Sequence, residues 1–213
     1  MKTKLIKKIH QVYSIEIITG IHIGDSKENV EIGGVDNPVI RRSIDNVPYL
    51  PGSSIKGKIR SLLEQIAGSA EIGGNKEIND LFGFAKDNQP SKIIIRDAYL
   101  SDESKKALDD SDYTDMPYSE VKFENTINRV TGKADNPRQT ERVPAGTFFN
   151  LEIVINVWNN DDDGNKSLDL LEKGIKALEN DYLGGSGSRG YGQVKFHKMK
   201  EEPVSFETYF EKQ

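Results

Sequence analysis

Phe149, Leu151, Ile153, Ile155 and Val157 occupy every second position between Thr147 and Trp158. That alternation buries one face of an extended segment and exposes the other, so the stretch must be a strand flanking a core. Lys8 to Ile23 reads as a second strand, with β-branched Val12, Ile15, Ile17, Ile18, Ile21 and Ile23 in imperfect alternation. Two segments have the helical period instead. Ile55, Ile59, Leu62, Leu63 and Ile66 share one face of a helix that Ser53 or Ser54 caps and Gly68 ends. Leu168, Leu171, Ile175, Leu178 and Tyr182 do the same after Ser167, and Gly184 stops that helix. Strands over Lys92–Leu100 and Tyr191–Lys198 complete the pattern, with a helical turn at Glu77–Phe84 and a short helix at Ser205–Phe210.

The order β-α-β-β-α-β predicts an α+β protein with a ferredoxin-like, RRM-like βαββαβ core: an antiparallel sheet with both helices on one face. Unrelated functions share that fold, so it leaves function open. Residues 24–50 form a long first loop. Residues 101–145 are polar, charged and weakly periodic, and read as an insertion in which Val121–Thr131 and Arg138–Pro144 pair as a protruding hairpin. The whole chain, 1–213, reads as a single domain carrying these two elaborations.

Cysteine is absent, which excludes disulfides and a cysteine-ligated zinc site; it also agrees with a reducing, cytoplasmic setting. Only three histidines are present, so any metal would be a hard ion on carboxylates. No run approaches the roughly 20 apolar residues that span a bilayer, and Met1–His10 does not read as a secretory signal. Asp109–Asp115 and Asp161–Asp163 lack the spacing of a calcium loop and read as exposed loops. Net charge is −5, yet basic residues gather at Arg41–Arg42, Lys56–Arg60 and Arg129–Arg142. An acidic exterior with a basic groove satisfies both facts and admits a nucleic acid.

The segment Pro51-Gly52-Ser53-Ser54-Ile55-Lys56-Gly57-Lys58-Ile59-Arg60 puts three cations in the first turns of a helix, where the dipole is already positive. An anion docked on that terminus would offset the penalty; a solvated helix face is the plainer reading. Gly184-Gly185-Ser186-Gly187-Ser188-Arg189-Gly190-Tyr191-Gly192 holds five glycines in nine residues, more than one helix stop needs. Glycine lets backbone N–H groups approach phosphates, and Arg189 adds a bidentate donor. Tyr49 and Tyr191 flank the two basic segments and suit either base stacking or the core.

These two segments, with Ile32-Gly33-Gly34-Val35-Asp36-Asn37-Pro38-Val39-Ile40, resemble the RAMP superfamily of CRISPR proteins, and most of all the backbone subunit of type III-A (Csm) effector complexes. The resemblance implies a crRNA-binding subunit that stacks with neighbouring copies of itself in a helical filament, beside other type III effector subunits, in an antiviral ribonucleoprotein. It implies that a β-hairpin thumb, here Val121–Pro144, splays one base of the guide-target duplex at intervals. It implies slow endonuclease cutting of guide-paired target RNA with a divalent cation, Mg2+ by family habit, and gives the catalytic position to Asp36. RNA contacts fall by position on Ser53, Ser54, Lys56, Lys58, Arg60, Gly184, Gly185, Gly187, Ser188 and Arg189, with Arg129, Arg138 and Arg142 in the thumb and His22 beside the first loop. Asp36 is either a metal ligand or the base that takes a ribose 2′-hydroxyl proton; Asp before Asn-Pro is also an ordinary turn sequence.

One departure from the family stands out. Arg41-Arg42 replaces an acidic residue, which leaves Asp36 as the sole carboxylate of the segment, with Asp45 further along, and places cations near the cleavage position. A non-catalytic crRNA-binding filament subunit is therefore the alternative expectation. A guide-processing ribonuclease would need a histidine near the glycine loop, and none lies between His22 and His197.

Overall fold

A computed structural model describes residues 4–24, 35–71 and 73–205, with the side chains of residues 135 and 136 left aside. The chain runs β1 (Leu5–Ile17), β2 (Tyr49–Leu50), α1 (Gly52–Ile66), α2 (Lys76–Phe82), β3 (Ile93–Ile95), β4 (Ala98–Leu100), α3 (Asp102–Asp109), β5 (Glu120–Ile127), β6 (Ala134–Arg142), β7 (Phe148–Trp158), α4 (Asn165–Glu179) and β8 (Val194–Ser205). The main sheet is antiparallel in the order β2-β4-β7-β1-β8, and β3 also pairs with β7. Counting β3 and β4 as one interrupted strand, this is the ferredoxin-like arrangement that the periodicity predicts, with α1 and α4 as its two crossovers.

The alternation sets the register. Ile9 lies opposite Ile155 and Ile15 opposite Phe149. Ile9, Tyr13, Ile15 and Ile17 of β1 and all five alternating residues of β7 are buried, in one core with Ile55, Ile59, Leu62 and Leu63 of α1 and Leu171, Ile175 and Leu178 of α4. At about 25 cal/mol per Å2 of apolar surface removed from water, burial on this scale is the main force holding the helices to the sheet. Gly174 lets α1 and α4 approach: a Cβ there would overlap Ile59.

Several boundaries differ from expectation, each for a local reason. β1 stops at Ile17 rather than Ile23, because beyond it the chain leaves β7; Ile18 N–H bonds Gln193 O instead and Ile21 bridges Val143. Neither Ser53 nor Ser54 caps α1. Pro51 is the N-cap residue and makes no side-chain cap bond, while the Asp97 carboxylate, from the β3–β4 junction, accepts the Gly52 N–H at 2.8 Å. That contact and the close approach of Gly52 to the Ile95 and Arg96 carbonyls split the expected Lys92–Leu100 strand in two. Ser167 is buried inside α4, whose first N–H groups meet Asp162 behind a left-handed Gly164. The final strand begins at Val194 and runs on to Ser205 because β1 pairs with it along that whole length. The expected Ser205–Phe210 helix lies outside the described residues, apart from Ser205, which ends β8.

The 101–145 insertion contains a helix that weak periodicity did not suggest. Ser101 caps α3 by accepting the Ser104 N–H, and Asp102 and Glu103 occupy its first turn. β5 and β6 then form the anticipated hairpin, pairing Glu120 with Arg142 and Ile127 with Ala134. Its strands make a sheet of their own, separate from the main one.

Gly192 supplies a stability test. Its φ is +72°, and a Cβ there would overlap the Leu183 carbonyl oxygen. Gly132, at the hairpin tip, has nearly the same φ of +69° but open space around it. Gly192→Ala is expected to cost at least about 2 kcal/mol, a fall in Tm of roughly 4–8 °C at this chain length, against about 1 kcal/mol for Gly132→Ala. Equal melting temperatures for the two variants would refute the assignment.

Candidate nucleic-acid interface and cleavage site

The segment that carries Asp36 is stitched to the base of the β5–β6 hairpin. Asn37 N–H donates to Gln139 O, Glu141 N–H donates to Asn37 O at 3.0 Å, and Asn37 makes a parallel bridge with Thr140. On its other side, Val39 bridges Gly24 and Ile40 N–H donates to Ile23 O. The segment thus forms a short middle rung between the chain after β1 and β6. Asp36 itself is exposed, and its Oδ2 accepts the Gln139 N–H at 2.9 Å, which orients the carboxylate against β6. Ile32, Gly33 and Gly34 of the same motif lie outside the described residues.

Beneath this rung sits Glu141, a carboxylate that is 1% exposed. It accepts from Val39 N–H at 2.7 Å, from the Ser119 hydroxyl at 2.5 Å and from the Arg41 guanidinium. Arg41 also donates to Pro117 O and Asn46 O. Arg42 pairs with Asp45 and lies over the Tyr99 ring; its hydrogen bond holds the Asp45 carboxyl below the usual carboxylate range. The two cations that the sequence places near Asp36 both meet carboxylates of this chain, Arg41 with Glu141 and Arg42 with Asp45.

His22 ties three pieces together. Its Nδ1 lies 2.7 Å from Glu141 O, and because a carbonyl only accepts, Nδ1 carries the proton. Its own carbonyl accepts Gly185 N–H at 2.8 Å. Gly184, with φ +84°, packs against that carbonyl so closely that a Cβ would overlap it. Gly187, Ser188 and Arg189 form a single 3-10 turn, with Gly187 against the Tyr182 ring. The glycine loop is thus held between α1 and the hairpin base, since Lys58 of α1 lies over the other partner, Tyr182, at 3.7 Å.

The α1 cations are engaged within the chain. Lys56 donates to Ser91 Oγ at 2.8 Å, and burial, then nearby Arg60, lowers its pKa. Lys58 pairs with Asp181 at 3.0 Å. Arg60 meets Glu64, Gly83 O and Asn79 Oδ1. Asp97 takes the Gly52 N–H, Asp181 pairs with Lys58 and Glu64 with Arg60, while Lys56 meets a hydroxyl and a carbonyl, Ser91 Oγ and Ile93 O. Ser53 is exposed at that helix start, and Ser54 is half-buried.

A second group gathers where the hairpin base meets the glycine loop. Tyr191 is 1% exposed, which decides for the core over base stacking, and its hydroxyl donates to Glu124 Oε1 at 3.1 Å. Lys122 and Arg142 lie over its ring at 4.3 and 5.1 Å. Arg138 and Arg189 approach Glu124, Arg142 pairs with Glu120 at 2.5 Å, and Arg129 is exposed at the tip. Lys122, Glu124 and Glu141 escaped the sequence reading. Alternating charge along Glu120-Val121-Lys122-Phe123-Glu124 was a signal for the first two; nothing local marks Glu141.

An exposed carboxylate on a loop zipped to a protruding hairpin, beside a glycine loop and converging arginines, on a ferredoxin-like sheet, defines a class of protein. The RAMP superfamily model matches residues 14–195, and the chain belongs to that family. Within it, the chain is 42% identical over 210 residues to the CRISPR system Cms endoribonuclease Csm3 of Methanothermobacter thermautotrophicus, covering 88% of this chain and 84% of that protein. It is 41% identical over 205 residues to the protein of the same name from Streptococcus thermophilus, covering 92% and 90%. Among solved structures, a Csm3-Csm4 subcomplex of the type III-A CRISPR-Cas interference complex superposes with a TM-score of 0.63 at 32% identity, over 99% of this chain and 86% of that one.

Proposed function

We propose that this chain is the crRNA-binding backbone subunit of a type III CRISPR effector, that the 1–213 span is one RAMP domain, and that Asp36 serves slow endonucleolytic cutting of guide-paired target RNA. The placement of Asp36 carries the reading: an exposed carboxylate, oriented by Gln139 N–H, at the foot of the hairpin that would distort the duplex. In-line attack of a 2′-hydroxyl needs a nucleotide drawn out of A-form stacking, and a wedge beside the carboxylate meets that need. Exposed Phe123, Ile127 and Val130 supply the hairpin's apolar surface for such a wedge.

Asp36 suits a hard divalent cation such as Mg2+, which keeps most of its waters and takes one carboxylate together with phosphate oxygens. Among the described residues no cluster of three or more potential ligands forms a closed cage, so Asp36 would be the protein's contribution. Such an ion supplies charge stabilisation at the scissile phosphate when bound. The chain's own part is to hold the carboxylate in place through Gln139 and Asn37 and to exclude alternative positions of the loop through Glu141.

The partners are crRNA, target RNA, further copies of the chain and other effector subunits, in the cytoplasm. No helix among the described residues is long and apolar enough to cross a membrane. The reconstituted complex is expected to cut a labelled RNA complementary to its guide and to spare a non-complementary one. Chelation with EDTA is expected to stop cutting while target binding persists, and added Mg2+ to restore it. Cutting that survives chelation would exclude the metal-dependent reading, and absence of small RNA from the purified complex would exclude the guide-binding role.

A further inference from the structure

Glu124 is the meeting point of three cations, and it closes an ion pair with none of them. Wide contacts occur elsewhere, but beside a closed one: Lys198 is 3.6 Å from Glu172 and 2.6 Å from Glu201, and Lys105 is 3.5 Å from an Asp45 that Arg42 already holds. Around Glu124 three cations stop short. Lys122 Nζ is 3.5 Å from Oε1, Arg138 Nε is 3.5 Å from Oε2 and Arg189 Nη1 is 3.6 Å from Oε2. Charge-assisted N–H···O bonds close to about 2.7–2.9 Å, so none of the three is made. Among the described residues Oε2 is buried without a hydrogen-bond partner, and the Tyr191 hydroxyl is bonded to Oε1.

The cluster also carries excess charge. Three cations face one carboxylate, and the nearby Arg142–Glu120 pair is self-contained. Burial pushes the Glu124 carboxyl up, but the Tyr191 hydroxyl and the three cations outweigh it and hold the group below its usual range. The cations remain reachable from solvent: the Arg189 side chain is 51% exposed, Arg138 38% and Lys122 35%, against 12% for Glu124. Each comes from a different place, β5, β6 and the glycine loop, so only the folded junction assembles them. Three cations held 3.5–3.6 Å from a single carboxylate, with charge left over for a further anion, suit the larger phosphodiester group with its two unesterified oxygens.

We propose that this junction is a phosphate seat for single-stranded RNA and that Glu124 is its internal placeholder, an anion of the chain itself that occupies the seat until an RNA phosphate displaces it. The inference deepens the guide-binding reading and rests on it. The placeholder keeps mutually repelling cations assembled in the unliganded chain, and it sets a threshold that weak anions do not cross. It follows that Glu124 opposes RNA binding although it sits at the centre of the basic cluster.

The test uses the purified full chain and a labelled oligouridylate, with affinity measured across a salt series. Glu124→Gln keeps an acceptor for the Tyr191 hydroxyl and removes the competing charge. It is expected to bind about tenfold more tightly, equivalent to about 1.4 kcal/mol. The slope of log K against log salt is expected to steepen by roughly 0.7, the increment for one more neutralised phosphate on a single strand. Lys122→Ala is expected to weaken binding and flatten the slope by a similar amount, and it stands as the independent arm should Glu124→Gln melt at an altered temperature. Unchanged or weaker binding by Glu124→Gln, with wild-type binding intact, overturns the placeholder alone. If no form binds the oligonucleotide, the guide-binding reading falls with it.

Discussion

Asp36→Ala is expected to abolish target cutting in the assembled complex, with a loss on the order of 10²–10⁴-fold if the carboxylate acts as a general base. Assembly and target binding are expected to stay at wild-type levels. The asymmetry follows from the geometry. The carboxylate is exposed and makes one bond to the hairpin, Oδ2 to Gln139 N–H, whose loss costs about 1 kcal/mol. The rung survives without it, because Asn37 N–H, Asn37 O and Asn37 Nδ2 all bond β6 independently. Asp36→Asn sharpens the result: its side-chain oxygen still accepts from Gln139, but the amide is neither a base nor a good ligand for a hard cation. Both variants are therefore expected to be inactive, and only Ala to loosen the loop. Wild-type cutting by either, measured with a labelled target in single turnover, would return the chain to the non-catalytic alternative.

The second large effect concerns stability. Glu141→Ala would leave the Arg41 guanidinium, 13% exposed, without its carboxylate, and would strip Val39 N–H and the Ser119 hydroxyl of their acceptor. Breaking a buried pair from one side typically costs about 3–5 kcal/mol, because the remaining charge is desolvated and uncompensated. At this chain length that corresponds to a Tm lowered by roughly 6–20 °C. Glu141→Gln retains a neutral acceptor for Val39 and is expected to fall between. Replacing both partners with apolar residues, Arg41→Met with Glu141→Leu, is expected to recover much of the loss, since no lone charge remains buried. A Glu141→Ala melt superimposable on wild type would show that the pair contributes nothing to the fold.

The strand at Phe148–Trp158 and the α1 and α4 faces were readable, because each rests on a repeat of two or 3.6 residues that neighbours in the chain impose; the β5–β6 hairpin was legible without such a repeat, as two extended segments in a polar insertion. α3 was missed although Ser101, Asp102 and Glu103 form an ordinary helix start; eight residues are too few for a periodic signal to stand out from a polar insertion. The caps failed differently. Serines suggested themselves for α1 and α4, but Asp97 lies 45 residues from Gly52 and takes that role across the fold. The Asp36 segment and the glycine loop were visible as motifs, and the structure brings both to His22.

What the cations do was not visible. By itself the sequence determined the alternating periods, hence the order of strands and helices, the core residues and the ferredoxin-like sheet, since those depend on contacts a few residues apart. Only the tertiary structure decided that Lys58 meets Asp181, that Arg41 meets Glu141 and that Lys122, Arg138 and Arg189 surround Glu124. Charge pairing is long-ranged and carries no period, so which anion faces a given cation is settled when distant segments close on one another.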